Sequence, residues 1–364
     1  MNADAPAIPK QRLKFIDLAR SIAIMLMLEG HFVGLTLTLE ARDPSNLIYV
    51  IWNSIRGFTA PLFFTSAGMI FVFLLTGENG LSFFKQVRVR KGFIRAVELL
   101  LWGYALQLSL RNFPDYLKGE FGSWVFAFHV LQCIGVGLIV LILIAALHRA
   151  IGKFSLASFY AIAMLIFLSL YIWLKSLPEG TYVPEGWPQL VQNALIGPRS
   201  EFPIAPWLGY VLLGGAMGAY LRAQNNQLPT LRSCSWFFIL AGILKLIWFA
   251  AFSIPMPEYA LDGIAWFTER AFEVVLFLGI LRIIEIRFGI DAPWILRIGQ
   301  ETFAIYIFHV IVLYGGLFGF GLSIHLKEKL EPWQAASGAL LFIAFFAAYA
   351  IALNIWKTRK QKKV

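Results

Sequence analysis

Apolar runs of about 20 residues recur along this chain, each long enough to cross a hydrocarbon core roughly 30 Å thick. From Val130 to Ala146 the sequence VLQCIGVGLIVLILIAA holds no charged side chain. In lipid a segment like this must satisfy its backbone groups internally, which makes it a helix. The whole chain has that character: 59% of residues are hydrophobic and 14% charged, with a mean hydropathy of +0.70. Soluble domains carry about 25% charged residues. The fold class expected is therefore all-α, a polytopic membrane protein.

Ten spans are expected, at about 15–38, 57–77, 92–112, 124–147, 156–175, 204–222, 233–254, 263–284, 298–320 and 334–356. An even number puts both termini on one side. Of the 31 lysines and arginines, twenty fall in segments on that side, eight on the other, and Arg20, Lys245 and Arg270 inside spans. The basic excess marks the side of the termini as cytoplasmic. The organisation expected is a short N-terminal segment (1–14), one transmembrane domain (15–356) and a basic tail (357–364).

The net charge of +10 follows this topology, since Lys and Arg cluster between apolar runs, and it does not point to nucleic acid. Cys133 and Cys234 lie in or beside apolar segments without CxxC or Cys/His spacing, which argues against disulfides and zinc. Lys10, Arg12 and Lys14 precede an apolar run as in a signal peptide. However, Asp17 and Arg20 interrupt that run and no small-residue cleavage site follows, so it is read as the first membrane helix. The longest loop, 176–203, lies outside and either caps a cavity or binds an extracytoplasmic acceptor, or serves as a packed connector.

Polar residues within the spans carry the functional signal, because charge at membrane depth is costly. Arg20 and His31 are eleven positions apart, which on a helix is within ~20° of three full turns and a rise of ~16 Å. They share a face, with Arg20 toward the cytoplasm and His31 in the outer half. Asp17 is one turn from Arg20 and placed to pair with it. Glu29 points roughly opposite His31, toward another helix or a cavity. Arg20 also fits a snorkelling role at the headgroups, and His31 fits an interfacial or hydrogen-bonded core histidine.

Further polar positions follow along the chain. Arg56 opens the second span, followed by Thr59, Thr65, Ser66 and Gly68, which suit close helix packing. His129 and Gln132 stand three apart, a spacing that also fits a packing hydrogen bond. Glu269, Arg270 and Glu273 form either a self-neutralising structural group or part of a site. Tyr306 and His309 are one turn apart near the end of the chain, and Lys245 has no assigned partner.

Histidine suits proton transfer near neutral pH, and in a polar pocket it can take the proton of a hydroxyl or amine attacking an acyl carbon. Arginine suits phosphate recognition through its planar fork. A helix with arginine inward and histidine outward fits a phosphorylated donor on one side and an acceptor on the other. The spacing alone names neither.

The stretch KFIDLARSIAIMLMLEGHFV together with IRGFTAPLFFTSAGMIF resembles bacterial relatives of heparan-alpha-glucosaminide N-acetyltransferase. HVLQCIG at 129–135 and FPIAPWLGYVLLGGAMGAYL at 202–221 fit the same family. IGQETFAIYIFHV is similar to a late helix of the acyltransferase-3 branch, and the Arg20-x10-His31 spacing matches the first helix of that broader superfamily.

The resemblance implies an acyl-CoA donor, acetyl-CoA by expectation, bound from the cytoplasm, and transfer of the acyl group to a sugar or glycan hydroxyl or amine outside. The protein would then reside in a bacterial inner membrane. His31 and Arg20 carry over as the catalytic histidine and its motif arginine, Glu29 joins them as a frequent acid before the histidine, and Arg56 matches the position opening span 2. Arg56, His129, Gln132, Glu269, Tyr306 and His309 are the candidate substrate contacts. Arg88, Arg90 and Lys91 are candidates for the CoA phosphates on charge, though they serve equally as topology-setting residues. No metal is expected, and the sequence leaves room for a homo-oligomer. One departure is Ser21, where the family has glycine after the motif arginine. The competing reading is a proton-coupled transporter or flippase using the intramembrane Arg, His and Glu residues. A third is an accessory membrane subunit without chemistry.

Overall fold

The computed structural model describes residues 13–76, 82–178, 186–195, 200–224 and 234–361. Among these residues all regular structure is helical, apart from two isolated bridges. In chain order the helices are α1 (Lys14–Thr36), α2 (Leu47–Leu75), α3 (Val87–Ala105), the short α4 (Phe113–Leu117), α5 (Val130–Ile151), α6 (Leu156–Ser176) and the short α7 (Gln189–Leu195). There follow α8 (Ile204–Ala223), α9 (Ser235–Ser253), α10 (Glu258–Phe288), α11 (Pro293–Gln300), α12 (Thr302–Tyr314), α13 (Ser323–Leu326) and α14 (Pro332–Gln361).

Local chemistry sets several of these ends. The Asn46 side chain accepts from the Ile48 N–H at 2.9 Å and starts α2, and Ser155 does the same for α6. Gly152 and Gly315, at φ 66° and 79°, end α5 and α12 in the left-handed conformation that glycine adopts without steric cost.

Every one of the ten expected segments holds a helix, but only seven of those helices, in α1, α2, α5, α6, α8, α9 and α14, are long and apolar enough to cross a membrane. The bent pair α11–α12 makes up to eight. Length and apolarity alone thus do not reproduce a count of ten. The shortfall is a matter of charge. Arg88, Arg90, Lys91, Arg95 and Glu98 crowd one half of α3, and α10 carries charges along its 31 residues. Of the boundaries that differ from expectation, three matter most. The second helix starts ten residues earlier, the third ends at Ala105, and the segment at 298–320 is not one helix. It breaks at Glu301 with a bend of 70° between α11 and α12.

Contacts fix the relative directions. Lys14 at the start of α1 donates its N–H to Glu285 near the end of α10 (2.7 Å). Lys357 near the end of α14 pairs with Glu301 (2.6 Å), beside the Arg20 partner Thr302. The start of α1 and the end of α14 therefore lie at one end of the bundle. At the other end Thr38 N–H donates to Leu330 C=O and Leu330 N–H to Thr36 C=O, clipping the end of α1 to the start of α14.

Bare backbone makes the closest helix contact. Gly214 and Gly218 of α8, spaced as GxxxG, face α2, where a Cβ on Gly214 would collide with the Thr65 carbonyl oxygen and one on Gly218 with that of Met69. Gly68 of α2 meets Val211 in the same way. Lipid gives little hydrophobic drive between helices, so close packing of this kind holds them together. Gly214→Ala is expected to lower the thermal midpoint in detergent, at a cost of about 1–3 kcal/mol for overpacking. Gly242→Ala on α9, where a Cβ meets nothing within 4 Å, should leave the midpoint unchanged or raise it.

Candidate active site

A cavity of about 730 Å³ lies at the end of the bundle opposite the start of α1. Its walls come from α1 (Met27, Gly30, His31), α2 (Arg56, Thr59, Phe63), α12 (Tyr306, Val310, Tyr314) and the segments that join the helices at this end (Gln107, Trp124, His129, Glu201). Gln132, one turn into α5, completes it.

His31 is held on two sides. Its Nδ1 lies 2.9 Å from Nε2 of His309, and the rings stack at 5.1 Å. Tyr314 meets it edge-on at 5.9 Å. His309 is fully buried, faces the Ile305 carbonyl through its Nδ1 at 3.2 Å, and is enclosed by Tyr306 and Phe346. Arg56 lies across the groove that Gly30 and Gly34 leave on α1. A Cβ on Gly30 would be 3.3 Å from its Cγ, and one on Gly34 would be 3.4 Å from its Cζ. Among the described residues no hydrogen-bond partner is found for the Arg56 guanidinium or for Nε2 of His31.

Buried polar groups are nearly always bonded, and each exception calls for an explanation. Six buried side-chain atoms of the described residues have no partner, and four of them belong to residues that line this cavity: Thr59 Oγ1, Gln107 Oε1, His129 Nε2 and Gln132 Nε2. The remaining atoms of both glutamines are engaged. Gln107 donates to the Ala127 carbonyl at 2.8 Å, and Gln132 accepts from the His129 N–H at 3.3 Å. The free atoms include donors and acceptors, a set that matches a ligand with several hydroxyl or amide groups.

A model of the catalytic domain of heparan-alpha-glucosaminide N-acetyltransferase matches residues 12–247. The chain belongs to this family. It is an acetyltransferase by class, of a type whose donor is acetyl-CoA. No match was found among curated proteins. The matched stretch includes His31, Arg56, His129 and Gln132 of the cavity lining. Tyr306, His309 and Tyr314, which complete the His31 surroundings, lie beyond it.

Of the residues singled out in the sequence, His31, Arg56, His129, Gln132 and Tyr306 line the cavity, and His309 supports it from behind. The others do not line it. Arg20 sits near the opposite end of α1, where its guanidinium donates to Thr302 Oγ1 at 2.7 Å, with Asp17 and Arg95 close enough to act on it electrostatically. Glu29 turns to α2 and accepts from the Trp52 indole N–H at 2.6 Å, as its position opposite His31 required. Arg270 pairs with Glu273 (2.8 Å) and donates to the Ser54 carbonyl of α2 (3.3 Å). This is the structural alternative, and Glu269 beside it does not line the cavity. Arg88, Arg90 and Lys91 stand on the first turns of α3, below Arg95, whose guanidinium lies 3.7 Å over Phe303. Lys245 gains an aromatic surround, 3.7 Å over Trp248 and 5.4 Å from Phe272.

Ser21 proves to be a docking point, donating to the Ile295 carbonyl of α11 at 2.6 Å opposite Gly299, where a Cβ would strike the Asp17 carbonyl oxygen. Of the long loop, residues 179–185 and 196–199 lie outside the described residues. Its end reaches the cavity through Glu201 and Phe202. Gln107, Glu201 and Tyr314 escaped the sequence reading, because in loops or at a helix end no periodicity marks their direction.

The Arg20–Thr302 bond ties α1 to α12 far from the cavity, and a hydrogen bond to a charged group contributes about 1.5–3 kcal/mol. Arg20→Ala is expected to lower the midpoint of thermal unfolding by a corresponding amount. Arg20→Lys should recover only part of it, because an ammonium lacks the planar fork.

Proposed function

We propose that the protein moves an acetyl group from acetyl-CoA to a hydroxyl or amine of a glycan acceptor on the far side of the membrane, with His31 as general base. The observation that carries this reading is the unpartnered Nε2 of His31, on a residue lining a cavity whose other lining residues include four with a buried polar atom that has no partner. In the step proposed, Nε2 takes the proton of the acceptor hydroxyl or amine as that atom attacks the thioester carbon. The C–S bond then breaks, and the proton passes on to the departing CoA thiolate. Arg56 beside His31 supplies a fixed positive charge where the carbonyl oxygen becomes anionic. Thr59, Gln107, His129 and Gln132 hold the acceptor.

Two parts of the earlier expectation change role. Arg20 and Glu29 are engaged by Thr302 and Trp52, so they act as helix ties, and the work at the acceptor falls to His31 and Arg56. The CoA end of the donor is assigned to the basic end of the bundle, where Arg88, Arg90, Lys91 and Arg95 gather on α3. A transport path through Glu269 and Glu273 finds no support, since Arg270 engages Glu273 and neither glutamate lines the cavity.

The test is purified protein with acetyl-CoA, following binding and CoA release with and without a panel of amino sugars and glycans. His31→Ala should lower transfer by about 10²–10⁴-fold, the usual worth of a general base, with donor binding retained. Thr59→Val, which removes one free hydroxyl at constant shape, should raise the acceptor KM by roughly 5–10-fold, the worth of one hydrogen bond. Donor binding absent from both wild type and His31→Ala would sink the proposal.

A further inference from the structure

Helix α12 lies outside the stretch matched by the family model, yet it supplies the group in closest polar contact with His31. We infer that His309 is a positioning residue that holds His31 in the tautomer a base requires. The inference rests on the proposed role of His31 and adds the reason its Nε2 is free.

The argument starts from the Ile305 carbonyl, 3.2 Å from Nδ1 of His309. A carbonyl oxygen only accepts, so this bond needs the proton on Nδ1. With one proton per ring, Nε2 of His309 then carries a lone pair. That lone pair is 2.9 Å from Nδ1 of His31 and must receive a proton from it. His31 is thereby Nδ1–H, and its Nε2 is the bare nitrogen. The partner of one ring nitrogen decides the state of the other, as in triads where a carboxylate orients the histidine. Here the orienting group is a second imidazole. Being neutral, it needs no counter-charge in a dry position, and His309 is fully buried among Tyr306, Phe346 and His31.

In the transfer step the proton arriving at Nε2 makes His31 a cation, and the Nδ1–H bond to His309 strengthens with that charge. His309 itself neither gains nor loses a proton. Without an acceptor at Nε2 of His309, His31 is free to carry its proton on Nε2 instead, which blocks the base.

The first arm of the test reads the tautomer directly, by nitrogen NMR of ring-15N-histidine protein in lipid nanodiscs, with His31→Asn identifying the His31 signals. The expected wild-type spectrum shows a protonated Nδ1 and a bare Nε2 for His31. A protonated Nε2 would overturn the inference. The second arm is kinetic. His309→Phe, which keeps an aromatic ring but no acceptor, should lower kcat by about 10²-fold or more. It should leave the acetyl-CoA KM within threefold. His309→Gln, whose amide oxygen can take the place of the ring acceptor, should stay within tenfold of wild type. Equal losses in the two variants, or none in His309→Phe, would refute the positioning role. If His309→Phe does not fold, the wild-type spectrum and His309→Gln still decide. Failure of the base reading looks different, since His31→Ala would then keep full transfer whatever the tautomer.

Discussion

Two polar contacts between α1 and α12 set how the helix that carries His31 lies against the helix that carries His309. Arg20 meets Thr302 near one end and His31 meets His309 near the other, so the two helices are joined at both ends of one shared face. Along α1 the two points are ~16 Å apart and along α12 ~10 Å, by the rise per residue. The reach of the arginine and the inclination of the helices take up the difference. The break at Glu301 permits this, because α11 docks across α1 at Ser21 and Gly299 before α12 turns to run beside it. Breaking a helix in the interior leaves a carboxylate with little access to water. Lys357 and Asn354 of α14 reach Glu301 and offset that cost.

Much of the cavity wall is irregular chain, which within a membrane domain survives only when buried in protein or lining a wet cavity. Its backbone groups are accordingly paired. Leu110 N–H donates to the Leu317 carbonyl at 2.7 Å and Leu317 N–H to that of Leu108 at 3.1 Å. Leu317 holds a φ of 73°, rare for a branched side chain, and the two bonds keep it there. Phe202 N–H donates to the Phe128 carbonyl, and Phe128 N–H to Ser200 Oγ, which brings the end of the long loop to His129. The wall is thus a set of short segments fastened to one another, and the side chains it presents are placed by those fastenings.

That construction explains what the sequence could show. Helical geometry put Arg20 and His31 on one face, and both do meet α12. It also turned Glu29 away, and Glu29 meets Trp52 of α2. Within one helix, spacing is position. The partner of His31 was not legible as a partner, because it lies 278 residues away and no local pattern links them. His309 entered as a substrate contact, and in the structure it stands behind His31, away from the cavity lining. The break at Glu301 was hidden because the apolar run IGQETFAIYIFHV reads as continuous. Charge alone drew Arg88, Arg90 and Lys91 toward a donor role, and their place on α3 is compatible with it without requiring it.

Polar groups in this domain divide into two sets, and the division is physical. Arg20, Glu29, Arg270, Glu273 and Glu301 each have a protein partner, and these contacts join one helix to another or lie within such a joint. A buried polar group without a partner costs free energy in the folded state. Of the six groups of the second kind among the described residues, two, in Thr65 and Trp236, lie away from the cavity and four belong to its lining. Thr59, Gln107, His129 and Gln132 each keep an unpartnered atom, and all four residues line the cavity that His31 and Arg56 also line. A purely structural subunit would gain stability by replacing them with apolar side chains. Their concentration around one histidine is what a ligand-completed site requires.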